Sequence, residues 1–207
     1  MKTKFAQIWK LALPYQDKRN DTGHAAIATG YALRLLARIP SAKARIVVPA
    51  IMFHDIGWSM MPADKLLIAY NPPSKEAEYT ARLEHQIYAL DLALKILCSV
   101  NYSPACIGAI LTIIAQHDTR QGFYAMEDAL VRDADKLWRY RAPVHLVVTA
   151  GNKGWTRCEQ VEAHLQKWAE NIDKPGFFLT GVARDIARHD FVSYKEFGLG
   201  MFSQVIN

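Results

Sequence analysis

Apolar residues recur at intervals of three and four along almost the whole chain, and period-two alternation is scarce. That spacing gathers side chains on one stripe of a helix and leaves little from which to build a sheet. An all-α fold follows, with helices expected near 22–38, 42–56, 75–99, 104–117, 125–150, 156–172 and 177–192. Ser41 and Ser74 stand where N-caps belong, and Ser103-Pro104 reads as a cap followed by proline at the first helical position. Asn71-Pro72-Pro73 and Asp173-Lys174-Pro175-Gly176 are breaks. The longest irregular stretch, Gly57–Pro73, reads either as a substrate-facing lid or as a packed connection.

Several of the expected apolar stripes carry a polar residue. His24 shares its face with Ile27, Ala28, Tyr31 and Leu35, and His54 continues Val47, Ala50 and Ile51. His85 leads Tyr88, Ala89, Leu92 and Ile96, while His117 closes Cys106, Ile110, Ile113 and Ile114. Asp135 lies one turn from Val131 and from Trp138, and Asp55 follows His54 directly. One histidine on such a stripe is ordinarily a core residue held by one backbone hydrogen bond. Four of them and an aspartate on five helices are another matter, because burying them uncompensated costs several kcal/mol per group. A divalent cation resolves the conflict, since neutral imidazoles and ionised carboxylates are its natural ligands. The spacing therefore points to a metal site between helices.

Composition removes other classes. With 207 residues, 51% hydrophobic and 22% charged, one domain with a substantial core is expected and disorder is not. A net charge of +5 favours anionic partners, but no basic stripe interleaved with aromatics is present, so nucleic-acid binding is not expected. Cys98, Cys106 and Cys158 are an odd set without a CxxC pair, which argues against a disulfide framework or zinc ribbon and for a reducing compartment. The N-terminal stretch lacks the apolar core of a signal peptide, and the uncharged run Pro104–Gln116 is short of the ~20 residues that span a bilayer. A cytoplasmic protein with no membrane partner is the expectation.

The pattern resembles that of the HD-domain superfamily of metal-dependent phosphohydrolases: a histidine, a His-Asp doublet, then a distant aspartate. The matching residues are His24 in Asp21-Thr22-Gly23-His24, the doublet in Met52-Phe53-His54-Asp55-Ile56-Gly57, and Asp135 in Arg132-Asp133-Ala134-Asp135-Lys136-Leu137. The resemblance covers roughly residues 15–150. It implies an HD-type helical bundle there, with 151–207 as a helical extension packed on the core or on a dimer partner. The metal aspartate implied is Asp135, the one before the basic-Leu pair, which leaves Asp133 solvated or capping.

Four ligands for one metal follow from the resemblance: His24, His54, Asp55 and Asp135. His85 and His117 fall where two-metal members place two further histidines, and Asp55 would then bridge the ions. One ion or two stays open, and imidazole–carboxylate ligation suits Mn, Fe, Co, Ni or Zn better than Ca. The activity implied is attack of metal-activated water on phosphorus in a small phosphorylated metabolite, such as a nucleotide. Arg19, five residues before His24, and Lys136 are the first candidates for the phosphate oxygens. Arg120 and Asp118, both close to His117, and Trp58, where some members have lysine, are secondary ones. There is no Gly-Tyr-Pro motif, so cyclic dinucleotide hydrolysis of that subtype is not implied. His145, His164 and His189 fall outside the pattern and read as structural or exposed. Two alternatives remain: an HD-type di-iron oxygenase, whose six ligands follow the same order, and a phosphorylated-ligand sensor without turnover.

Overall fold

Apart from the exposed Arg45 in its first turn, the helix Ala44–Phe53 is apolar on every side, and residues 46–53 are all buried. A stretch with no polar face has to be surrounded, and this one is the axis of the fold. In the computed structural model it is α3 and packs against α1 (Lys2–Ala12), α2 (His24–Arg38), α6 (Pro104–Ile114) and α7 (Met126–Leu137). Between them come a short α4 (Ala63–Leu66) and the 25-residue α5 (Lys75–Ser99). After α7 follow α8 (Val144–Lys153), α9 (Cys158–Asp173) and α10 over 181–192. The described residues are 2–66, 68, 71–141, 144–154 and 158–192, without the side chains of 2, 144–147 and 158. Among them 75% helix and no strand make the fold all-α. None of these helices is long and apolar enough to cross a membrane.

Most helix ends agree with their local signals. Ser74 caps α5 by accepting the Ala77 N–H at 3.1 Å. Ser103 occupies the N-cap of α6 with Pro104 next, although its hydroxyl makes no capping bond. Ser41 is not a cap, because α3 starts at Ala44 with Lys43 at its N-cap. The expected helix 125–150 is divided: α7 tightens into a 3₁₀ turn at Trp138–Tyr140 and α8 begins at Val144. Arg141, at φ −86° and ψ 90°, has already left the helical region, and the sequence carries the breaker Pro143 two residues on. α1, absent from the expected helices, buries Ile8 and Ala12 in the core.

Pro49 sits inside α3 and cannot donate to the Arg45 carbonyl. The Tyr102 hydroxyl, from the α5–α6 connection, donates to that carbonyl instead at 2.7 Å. Asp133 is buried, not solvated, and takes the capping role. It accepts the backbone N–H of Leu179 at 2.8 Å and of Thr180 at 2.9 Å, and the Thr180 hydroxyl at 2.8 Å. Thr180 in turn accepts Ala183 N–H at 3.2 Å, so α10 is fastened to α7 by its first turn. Ile172, Phe178, Ala183, Ile186 and Ala187 belong to the same apolar cluster as α3. Residues 193–207 of the C-terminal segment lie outside the described residues.

Candidate metal centre

Each polar residue of the site owes its place to a helix end or a helix face. His24 is the first residue of α2, preceded by Gly23 at φ +88°. Glycine has no side chain with which to cap, and the carboxylate of Asp17 accepts the N–H groups of Gly23 at 2.8 Å and Ala25 at 3.1 Å. His54 is the C-cap of α3, so Asp55 leaves the helix axis at φ −107°. His85 lies in the middle of α5, on a face buried through Ala81, Ala89, Ala93 and Ile96; Tyr88 of the expected stripe is exposed. His117 follows α6 in a turn, and Asp135 lies in the last turn of α7. All four histidines are at most 4% exposed.

Three imidazoles are oriented in the same way. Nδ1 of His54 lies 2.7 Å from the Ile51 carbonyl, Nδ1 of His85 3.2 Å from that of Ala81, and Nδ1 of His117 2.9 Å from that of Ile114. A carbonyl only accepts, so each Nδ1 carries the hydrogen and each Nε2 presents a lone pair. Nε2 of His54 is buried without a hydrogen-bond partner, and Nε2 of His85 and of His117 face each other at 3.4 Å. Backbone anchoring of the outer nitrogen is how metal-ligating histidines are held. Converging lone pairs with no donor between them call for a proton or a cation.

Asp55 joins two groups of histidines. Its Oδ2 is 3.4 Å from both His24 Nδ1 and His54 Nε2, while Oδ1 is 3.5 Å from His85 Nε2 and 3.6 Å from His117 Nε2. Two triads, His24–His54–Asp55 and Asp55–His85–His117, therefore have donor atoms within 4.8 Å of one another and could each hold a metal ion. Asp135 completes the first, with Oδ1 3.1 Å from His24 Nε2 and 3.5 Å from His54 Nε2. Asp118 stands beside the second, 3.7 and 3.8 Å from the same two Nε2 atoms, with its other oxygen 3.1 Å from Arg82.

The charges are set by their neighbours. Burial opposes ionisation of Asp55, but the Arg19 guanidinium and then His54 hold it well below the usual carboxylate range. Asp135 is also held low against burial, by Arg139 first and by the hydrogen bond to His24 next. Asp21, bonded to Arg19 and to His24 Nδ1, is lowered to about 2 although burial opposes it. His24, with a carboxylate at each ring nitrogen, is raised to about 9 against burial. In the second triad burial keeps His85 low, and His117 is raised to about 9 because Asp118 and Asp55 outweigh its burial. Positive charge is favoured at both triads.

Two tryptophans stack on histidines of the cluster. Trp58 lies parallel to His85 at 4.3 Å, and Trp138 lies against His24 at 4.5 Å. The Trp58 indole also donates to Asp55 Oδ1 at 3.1 Å and has the Arg19 guanidinium over its ring at 5.0 Å. It reaches this position because Gly57 lies flat on α5, where a Cβ would be 1.8 Å from the His85 carbonyl oxygen. The Gly57–Pro73 stretch thus begins as a packed connection, with residues 67, 69 and 70 outside the described set.

Asp55, Asp118 and Asp135 open onto a cavity of about 170 Å³, also lined by Arg19, Trp58, Arg82 and Arg139. The structure brings together all six residues expected as ligands, with Arg19, Trp58 and Asp118 around them. It does not bring Lys136 or Arg120. Lys136 turns its ammonium onto the Phe177 carbonyl, and Arg120 lies over the Tyr124 ring with Nε 3.7 Å from Asp128. The cations found in the cavity wall instead are Arg82 and Arg139, together with Lys153 and Lys167. Arg82 precedes His85 by three residues and Arg139 follows Asp135 by four, a one-turn spacing from an expected ligand that would have pointed to both. Asp21, three residues before His24, carries the same signal. His164, read as structural or exposed, also lines the cavity, whereas His189 is exposed and the His145 side chain lies outside the described residues.

No protein-family model matches the chain, and neither a curated protein nor a solved structure matches it.

Proposed function

We propose that the chain is an HD-type metal-dependent phosphohydrolase acting on a small phosphorylated metabolite. The observation that carries this reading is Asp55, whose two oxygens face two separate histidine groups, with the lone pairs of His54, His85 and His117 turned inwards by backbone anchors. His24, His54, Asp55 and Asp135 would hold one divalent transition-metal ion, and Asp55, His85 and His117 a second. When bound, such ions polarise a phosphoryl oxygen and lower the pKa of water for attack on phosphorus. The chain's own residues do the rest. Asp21 and the carbonyls of Ile51, Ala81 and Ile114 fix the imidazoles. Arg19 and Arg139 border the cavity beside Asp55 and Asp135, where charge on phosphoryl oxygens would be met. Asp118, ionised and held by Arg82, is positioned to orient a water or take its proton.

The same arrangement favours a second reading, an HD-type di-iron oxygenase, because a carboxylate between two histidine groups suits both chemistries. Metal analysis of chelator-free protein, coupled to phosphate release and to oxygen uptake, separates them. The expected result is metal-dependent phosphate release that falls at least about a hundredfold in Asp55→Ala. A folded Asp55→Ala protein with unchanged turnover sinks the proposal. Two bound irons with substrate-dependent oxygen consumption would transfer it to the second reading.

A further inference from the structure

The cavity beside the histidine–aspartate cluster is asymmetric in charge. Its carboxylates, Asp55, Glu78, Asp118 and Asp135, all come from the side that carries the cluster. Each has an arginine beside it: Arg19 for Asp55, Arg82 for Glu78 and Asp118, and Arg139 for Asp135. The opposite wall, built by α8 and α9, contributes Thr149, Lys153, His164, Lys167 and Trp168, with no acid among its described residues. Arg139 spans the two sides, 3.6 Å from Asp135 and 5.7 Å over the Trp168 ring. His164 is held neutral there, lowered to about 4 by burial and then by Lys167, Lys153 and Arg139. Its Nε2 accepts the Trp168 indole N–H at 2.7 Å. Three cations thus crowd one end of a small cavity whose other end holds the ligand set.

Aromatic recognition has no comparable provision. Trp58 and Trp138 are 2% and 3% exposed, each stacked on a ligand histidine. Trp168 has Arg139 over its ring, the His164 ring beside it, and Tyr140 and Phe177 against it. Among the described residues that line the cavity, no indole face is left open for a nucleobase. At about 170 Å³ the cavity is also well under the ~300–1,000 Å³ of pockets that enclose drug-sized ligands.

We propose that this site selects a compact substrate with two anionic groups, a phosphoryl group at the histidine–aspartate cluster and a second oxyanion at Arg139, Lys153 and Lys167. The proposal rests on the phosphohydrolase reading for the first group only. The second group is a carboxylate or a further phosphate, which the same cations bind through charge-assisted hydrogen bonds. A nucleoside half is disfavoured, since among the described residues its base would meet lysines and no open ring.

Calorimetric titration of the metal-loaded full chain tests this with three probes. Glycerol 3-phosphate carries one anionic group, 3-phosphoglycerate is of the same size with a carboxylate added, and adenosine 5′-monophosphate adds a base. The expected result is about tenfold tighter binding of 3-phosphoglycerate than of either other probe. In Lys153→Gln/Lys167→Gln, both positions being exposed, 3-phosphoglycerate should lose about tenfold and glycerol 3-phosphate less than about threefold. Equal affinity for the two three-carbon probes, equal losses in the variant, or tenfold tighter binding of adenosine 5′-monophosphate would each overturn the proposal. Phosphate release, read in parallel, reports on the other proposal. The preference without any hydrolysis leaves the anion subsite standing and removes the hydrolase reading, and hydrolysis without the preference does the reverse.

Discussion

Asp55 and Gly57 show how much of the site depends on single residues in the doublet segment. Asp55 divides its oxygens between two histidine groups, which no residue with one donor atom could do. Gly57 acts through space alone. A Cβ there would lie 1.8 Å from the His85 carbonyl oxygen and 2.6 Å from the Ala89 nitrogen. Both are backbone atoms of α5, so neither can swing aside. Gly57→Ala should cost about 3 kcal/mol or more in urea unfolding, because a helix has to move to admit one methyl group. A loss below about 1 kcal/mol would show that the contact is looser than described. The same variant should displace Trp58 from His85, which its fluorescence would report.

At the scale of elements, the central helix tolerates an internal proline because another element repairs the break. Pro49 frees the Arg45 carbonyl, and the Tyr102 hydroxyl takes it. Tyr102→Phe keeps the ring and removes that donor, so it should destabilise the fold by about 1–2 kcal/mol in denaturant unfolding. Proline has no N–H with which to take over the lost bond, whereas alanine has one, so Pro49→Ala in the Tyr102→Phe background should recover stability. If the two substitutions behave additively, the hydroxyl is not serving the proline's vacant carbonyl. α10 depends on α7 in a similar way, through Asp133 and Thr180.

Across the whole molecule, α10 is also fastened to α2, and this contact makes stability depend on pH. Asp190 accepts from the Tyr31 hydroxyl at 2.7 Å and from Arg34 at 2.5 Å. Burial raises its pKa, but Arg34, Tyr31 and His189 outweigh that and lower it to about 2 from an ordinary 3.8. A carboxyl more acidic in the folded than the unfolded state stabilises the fold above its unfolded pKa. That contribution fades as the pH falls from about 4 towards the folded value. Asp190→Asn should thus lower the urea midpoint at pH 6, with the gap to the wild type closing towards pH 2. A gap that stays constant over that range would mean the carboxylate's charge is not what joins the helices.

The sequence by itself determined the helical class, most helix ends, and the six residues that meet at the centre. These are local properties. Period, caps and breaks act within a few residues, and a histidine on an apolar stripe is conspicuous because burial without a partner is costly. The missed helix α1 and the division near 141 were legible too, in the apolar spacing before Leu13 and in Pro143. Only the tertiary structure decided which cations surround the cluster. Lys136 and Arg120 sit beside site residues in sequence yet point elsewhere, while Lys153 and Lys167 come from helices that carry none of the six clustered residues. A long side chain is flexible and goes where the neighbouring helices leave it a partner. Its destination depends on packing between distant segments, which spacing along the chain does not encode.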